Sequence, residues 1–392
     1  MSDRPISFSN TEKAFAHKSN AELKKAYWLF TLVSRPWMVS IAKHLTQFAL
    51  TLHLPIKGLI KKTIFAQFVG GETAKQADDN TDELSAAGIG TILDYSVEGQ
   101  DDEASFDQGT EEILQTVDIA AAVEMVPFCV FKPTAVGSIT LWVKHSAGLE
   151  IEHHEKLAWK SCLDRMERIF TRAAEAGTPV LVDAEESWMQ DAADQVVEGF
   201  MSRFNKEKAI VYNTLQMYRH DRLNYLKRIH QRAQAQGWIL GVKIVRGAYM
   251  EKERDRAEER GYPSPIQPDK AATDRDFDAA LQYCVQHIDS ISLVCGTHNE
   301  KSSMYLVDLM AEHGISKKDR RIWSAQLYGM SDHISYNLAD AGYNVAKYVP
   351  YGPVRKVLPY LIRRAEENSS AAGQTGRELS LIQQEIARRK GR

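Results

Sequence analysis

The sequence predicts an α/β fold: an eight-stranded parallel (β/α)8 barrel with an N-terminal helical region. Three observations predict it. Between residues 90 and 370, short apolar runs alternate with stretches whose apolar residues recur every three or four positions. Eight such strand–helix pairs match the ~250 residues that a closed parallel barrel uses. A charged or polar residue follows seven successive apolar runs, where barrels of this kind place their chemistry.

The pairs read in order as follows. Strand Thr91–Val97 precedes helix Thr110–Glu124, and Val126–Phe131 precedes Glu150–Ala176. Pro179–Val182 leads to Gln190–Phe204, and Ala209–Tyr212 to Met217–Gln236. Ile239–Val245 is followed, after a charged and proline-broken loop from Glu251 to Thr273, by Asp274–Ile288. Ser292–Cys295 leads to Ser302–His313, and Arg321–Ala325 to Asp332–Ala341. The last pair is Asn344–Val349 and a helix from Val354 to Glu367, with Pro350, Gly352 and Pro353 breaking the backbone between them. The runs are continuously apolar, as strands buried on both faces must be. The expected division is 1–89 helical region, 90–370 barrel, and 371–392 a partly helical tail.

The N-terminal region is lopsided in charge. From Leu23 to Gly71 there is no acid, but Lys24, Lys25, Arg35, Lys43, Lys57, Lys61 and Lys62 alternate with Trp28, Phe30, Trp37, Phe48 and Phe65. Two readings stay open: helices that cover the barrel, or a basic apolar surface for peripheral contact with anionic lipid. No uncharged apolar run reaches the ~18–20 residues of a spanning helix. The first twelve residues lack the apolar core of a signal peptide, so a cytoplasmic protein is expected.

Composition narrows the function. The chain has 392 residues, 44 % hydrophobic and 26 % charged, the profile of a soluble globular protein. A net charge of −3 gives no footprint for nucleic acid. Cys129, Cys162, Cys284 and Cys295 show no CxxC or zinc spacing, and Cys129 and Cys295 read as buried reduced thiols. His153-His154-Glu155 is not HExxH and reads as a helix start, so no metal is expected. There is no GxGxxG between strand and helix and no GxxxxGK[ST]; Gly88-Ile89-Gly90 reads as a loop.

The polar residues after the runs are Lys132, Asp183, Gln216, Lys243 with Arg246 and Tyr249, Thr297-His298-Asn299, Gln326-Leu327-Tyr328 and Tyr348. Arg363 and Arg364 follow on the last helix of the barrel, with Glu367 four and three residues on. Lys132, Arg363 and Arg364 offer cations for a carboxylate, and Asp183 and Glu367 can orient them. Tyr348 offers a face for a compact ring. A small amino or imino acid suits this set better than a sugar phosphate. The competing reading of the RRAEE run is a solvated helix end.

Tyr348-Val-Pro350-Tyr-Gly352, followed by Tyr360-Leu361-Ile-Arg363-Arg364-Ala-Glu366-Glu367-Asn368, resembles the C-terminal signature of flavin-dependent proline dehydrogenases. VDAEES at Val182–Ser187, VKIVRGAY at Val242–Tyr249 and GTHN at Gly296–Asn299 follow the order of that family's motifs, and the resemblance covers about Thr91 to Ser370. It implies a TIM-like barrel that binds FAD without a Rossmann motif, and the oxidation of L-proline to Δ1-pyrroline-5-carboxylate. Electrons would pass to a quinone-type acceptor, and a separate pyrroline-5-carboxylate dehydrogenase would take the product. By position, Gln216, Lys243, Val245, Arg246, Gly247, Ala248, Tyr249, Thr297, His298 and Asn299 would contact the flavin. Many relatives carry Arg at the position of Lys243, which keeps the charge but not the fork. Lys132, Arg363 and Arg364 would bind the carboxylate, Asp183 and Glu367 would set those cations, and Tyr348 and Leu327 would pack on the ring. The segment after the fifth strand would cover the cofactor. Competing readings are a hydroxyproline dehydrogenase, a flavin-free barrel lyase or hydrolase using Asp183 and Lys132, and a barrel that senses an amino acid.

Overall fold

The structure, a computed structural model, describes residues 6–35, 37–42, 44, 57–79, 81–97, 99, 101–370 and 372–391; the side chains of 367–370 and 372–375 lie outside that description. The strands are β1 (Ile89–Tyr95), β2 (Phe128–Phe131), β3 (Val180–Val182), β4 (Val211–Gln216), β5 (Leu240–Val245), β6 (Ile291–Gly296), β7 (Ile322–Leu327) and β8 (Val345–Tyr351). They close into a barrel in sequence order. β8 pairs with β1 in parallel from Ile89↔Val345 to Tyr95↔Tyr351. Both faces of these strands are covered, so Val180, Leu181, Val211, Leu240, Leu293 and Val349 are fully buried.

The longer helices are α1 (Asn20–Val33), α2 (Glu103–Ala122), α3 (Ile139–Ser146), α4 (His153–Ala176), α5 (Ser187–Phe204), α6 (Arg222–Gln236), α7 (Met250–Arg260), α8 (Lys270–Gln286), α9 (Glu300–Glu312), α10 (Asp332–Asp340), α11 (Leu358–Ser370) and α12 (Ala372–Lys390). The chain falls into two compact units: Gly99–Thr297 with Lys301–Ala325, and Met1–Glu98 with His298–Glu300 and Gln326–Arg392.

In the first unit α2, α5, α6 and α8 each pack an apolar stripe on the strands. α4 starts at His153, where Glu152 and Glu155 form a reciprocal cap, and ends at Gly177, whose φ of 68° closes the helix in the left-handed form. Residues 251–273, expected as a loop, contain α7 and the start of α8. The sequence hid α7 because it has no apolar stripe: its buried residues are Glu253 and Ala257. It holds by charge instead. Glu251 and Glu253 sit in its first turn and Arg260 in its last. Glu253 reaches the start of α5, where its carboxylate accepts the Ser187 N–H at 2.6 Å and the Ser187 hydroxyl at 2.5 Å. Arg256 lies 4.4 Å over the Trp188 ring. The turn Pro133–Ala135 and α3 were also unforeseen, each too short to show a period.

In the second unit the two ends of the chain share one core. Leu23, Ala26, Phe30 and Val33 of α1 meet Phe65, Phe68, Val357, Leu361 of α11 or its approach, and Leu381 and Ile382 of α12. Arg389 ties the ends by donating to the carbonyls of Phe15 (2.8 Å) and Lys18 (2.7 Å). Three local expectations fail here: Pro350, expected to break the backbone, lies inside β8 and pairs with Asp94. Ile89 and Gly90 belong to β1, because Gly88 absorbs the turn at φ 72°. α11 begins at Leu358, not Val354: Gly352 stands at φ 146° and Pro353 to Val357 form a turn, with Lys356 N–H on the Pro353 carbonyl at 2.8 Å.

Glu253→Ala is expected to destabilise the protein by about 1–3 kcal/mol, the cost of leaving a buried helix N–H without its acceptor. Urea unfolding checks this; a midpoint within error of wild type removes α7 as the cap of α5.

Candidate active site

In the first unit the expected residues gather at the carboxyl ends of β2 to β6. Lys132 follows β2 at the start of the Pro133–Ala135 turn. Asp183 follows β3, its N–H on the Phe131 carbonyl at 2.9 Å. Lys243 of β5, 5 % exposed, forms an ion pair with Asp183. β3 and β5 are alternate strands, and inward side chains of alternate strands share a layer in such barrels.

Gln216 ends β4 and joins two loops. Its amide donates to the Glu185 carbonyl at 2.7 Å, and its side-chain oxygen accepts the Ala248 N–H at 3.4 Å. Val245 ends β5 and accepts the Met217 N–H, and Tyr249 caps α7. Gly247 has φ 129°, and a Cβ there would lie 2.6 Å from the Tyr218 ring, so the position admits glycine only. Arg246 is held by Asp274 (2.7 Å), Thr297 (2.8 Å) and Ser302 (2.9 Å). Its guanidinium braces the loops and orients the Thr297 hydroxyl.

Two buried groups in this unit lay outside the sequence reading. Thr214, beside Lys243 in the β4–β5 register, is 4 % exposed, and its Oγ1 has no partner among the described residues. Glu185 accepts the Thr134 N–H at 3.1 Å and the Thr134 hydroxyl at 2.8 Å. Burial pushes its carboxyl up to about 7 against the pull of Lys132. Lys243, Gln216 and Thr214 form a donor set that fits a ligand edge rich in acceptor nitrogens and oxygens, as a flavin's is.

The second unit holds the other expected residues. His298 Nδ1 meets the Ser331 hydroxyl at 2.8 Å, and Asn299 precedes α9. Leu327 ends β7 and packs against the core shared by the chain ends. Tyr348 of β8 is buried, and its carbonyl accepts the Tyr328 N–H at 2.8 Å. Its neighbour Lys347 points to the opposite face, as strand alternation requires. There Lys347 meets Asp332 at 2.9 Å, the Leu327 carbonyl at 3.4 Å and the Met330 carbonyl. Lys18 joins Asp332 at 3.0 Å. Burial pushes the Asp332 carboxyl up, but Lys18 and Lys347 outweigh it and hold the group well below its usual range. Arg363 is half-buried on α11; Arg364 is 9 % exposed, with its guanidinium 5.5 Å over the Tyr360 ring. The Glu367 side chain lies outside the described residues.

Glu185 gives a pH signature. Its folded pKa of about 7 lies above its ordinary 4.5, so the protonated form stabilises the fold below about 4.5, and that contribution is lost as pH rises through 7. The loss is about 3 kcal/mol. Glu185→Gln should therefore gain stability relative to wild type between pH 5 and 8. A constant difference between the two across that range contradicts the buried neutral carboxyl.

The family model of proline dehydrogenases matches residues 77–377. A carbapenem antibiotics biosynthesis protein, CarD, of Pectobacterium carotovorum subsp. carotovorum is 37 % identical over 334 residues, 85 % of this chain and 86 % of its own. Mitochondrial proline dehydrogenase 1 of Dictyostelium discoideum is 33 % identical over 97 % of this chain and 74 % of its own. A hydroxyproline dehydrogenase of Xenopus laevis is 33 % identical over 98 % of this chain and 90 % of its own. Among solved structures, proline utilization A from Bdellovibrio bacteriovorus, inactivated by N-propargylglycine, covers 93 % of this chain with a TM-score of 0.72 at 22 % identity. This chain spans 37 % of that one, and the likeness is one of fold. With its closed parallel barrel and a match over residues 77–377, the chain belongs to the proline dehydrogenase family.

Proposed function

We propose that the protein oxidises L-proline to Δ1-pyrroline-5-carboxylate with FAD as cofactor. The observation that carries the substrate side is Arg364. It is buried and stacked on Tyr360, not the solvated helix end that a bare RRAEE run suggests. Held in that position, its planar fork can present paired charge-assisted hydrogen bonds to a substrate carboxylate.

FAD, when bound, supplies the two-electron acceptor for the hydride leaving C5 of proline. The residues position and shield. Lys243 is fixed by Asp183, so its ammonium is pre-set to donate to the cofactor. Gln216, Val245, Gly247, Ala248, Tyr249, Thr297, His298 and Asn299 line the cofactor side, and Arg246 acts through Thr297. Arg363, Arg364 and Lys132 take the carboxylate, and Leu327 and Tyr348 exclude water from the ring. A hydroxyproline dehydrogenase among the relatives makes 4-hydroxyproline the competing substrate. The product passes to a separate dehydrogenase and the electrons to a quinone-type acceptor.

The test is spectroscopic. The purified protein should carry FAD, and anaerobic proline should bleach it more readily than hydroxyproline. Arg363→Met and Arg364→Met should keep the flavin and raise the proline KM, since losing a charged partner of a carboxylate costs on the order of 2–5 kcal/mol. An unchanged KM in both variants makes the arginines structural.

A peripheral membrane contact is the second part of the proposal. Among the described residues no helix is long and apolar enough to cross a membrane. Yet Trp28 and Leu32 of α1, with Trp37, Ile41 and Leu59, are exposed, Trp28 by 65 % and Leu59 by 67 %. They lie in the acid-free stretch, where Lys57 and Lys61 pair with Glu72 (3.0 and 2.8 Å); Lys43 and Phe48 fall outside the described residues. Lys24, Lys25, Arg35 and Lys62 would each add about 1 kcal/mol at an anionic surface, screened by salt. Sedimentation with anionic vesicles should bring the protein down at low salt and release it at high salt. Equal recovery with neutral and anionic vesicles leaves these helices a packing role.

A further inference from the structure

Two consecutive residues of α12 grip the two strand–helix junctions that carry His298 and Ser331. Arg377 donates to Glu300 at 2.7 Å, and His333 Nε2 lies 3.1 Å from the same carboxylate oxygen. Glu300 opens α9, two residues after His298. Hydrogen bonding from His333, with Arg377, holds the Glu300 carboxyl down to about 2. Glu378, 6 % exposed, accepts the Ser331 N–H at 3.1 Å.

Ser331 is the strained point between them. Among the described residues it is the one non-glycine with a positive φ, 53°. A side chain in the left-handed region persists only when its surroundings over-determine it. Here the surroundings are the Glu378 carboxylate on its N–H and the His298 ring on its hydroxyl, 2.8 Å from Nδ1. The direction of the Ser331 hydroxyl follows from its backbone conformation. The pairing also ties the His298 tautomer to that hydroxyl, which decides what Nε2 can offer a ligand.

We propose that the last helix is a positioning element for the cofactor side of the barrel: Glu378 holds Ser331 left-handed, Ser331 in that form orients His298, and Arg377 fixes the junction through Glu300. The proposal rests on the reading of His298 as a flavin contact. It makes residues some eighty positions beyond the GTHN run part of cofactor binding. None of them touches the cofactor; they act through His298.

The test uses the FAD-loaded protein and reads the flavin absorption band and the FAD Kd, with Glu378→Ala, Glu378→Gln, Ser331→Gly and His298→Ala. Glu378→Ala and Ser331→Gly should each shift the band and raise the Kd about ten-fold, the worth of one lost hydrogen bond at the ring. Combining them should add little, because both break one chain of contacts. Glu378→Gln should restore wild-type values, since its amide oxygen still accepts the Ser331 N–H. Glycine is at ease at φ 53°, so Ser331→Gly folds and carries the test even if Glu378→Ala does not. Wild-type spectra and Kd in Glu378→Ala and Ser331→Gly, beside an impaired His298→Ala, overturn the positioning role alone. A silent His298→Ala overturns it by removing His298 from the flavin. A wild-type protein without flavin overturns the proposed function itself, and this inference with it.

Discussion

A closed parallel barrel leaves no strand face to water, so any ion a strand carries must find its counter-ion inside the protein. Much of the structure around the strand ends follows from that constraint. Lys347 and Asp332 are 1 % and 5 % exposed at the side chain, and Lys243 is 6 % exposed against Asp183. Removing one partner of such a pair strands a buried charge at a cost of roughly 3–5 kcal/mol. Each pair therefore fixes the loop that supplies the acid. Asp183 is pinned after β3, and Asp332 is pinned at the start of α10. Precise placement of the loops is a by-product of satisfying charge.

Networks that join such an ion pair to neutral groups extend the same logic. Asp194 of α5 receives Gln190 (2.9 Å), Asn213 (2.8 Å) and Arg222 (2.5 Å). Gln190 in turn accepts the Glu185 N–H at 3.1 Å. The VDAEES turn is thus held from behind by α5, from β4 by Gln216, and from α7 by Glu253. In a low-dielectric interior a network of this kind is stable only when every member is satisfied, and it then admits one geometry. That is the preorganisation the proposed hydride transfer would need, where the protein's share is positioning.

The chain ends reach the turns after β6 and β7 as well as the core. α1 and α12 pack together through Leu23, Phe30, Leu381 and Ile382 and bring Lys18, Arg377 and Glu378 to the turns after β6 and β7. α1 buries one face there and leaves Trp28 and Leu32 on the other.

Eight apolar runs, their spacing and the polar residue after each were enough for the barrel, because a strand buried on both faces must be continuously apolar and its period is local. The positions of Lys132, Asp183 and Gln216 could be read for the same reason: they sit where local runs end, whereas Lys243 and Tyr348 lie inside their strands and Arg363 and Arg364 inside α11. Partners could not. The Lys243–Asp183 pair, the grip of Lys347 on Asp332, and the reach of Glu378 to Ser331 join residues whose separation in sequence carries no signal. α7 was invisible because charge and a distant serine hold it, not an apolar stripe. The sequence by itself determined the strand order and which polar residues stand near the strand ends. Tertiary structure decided which charges neutralise one another and which backbone bends, since burial energy depends on neighbours in space.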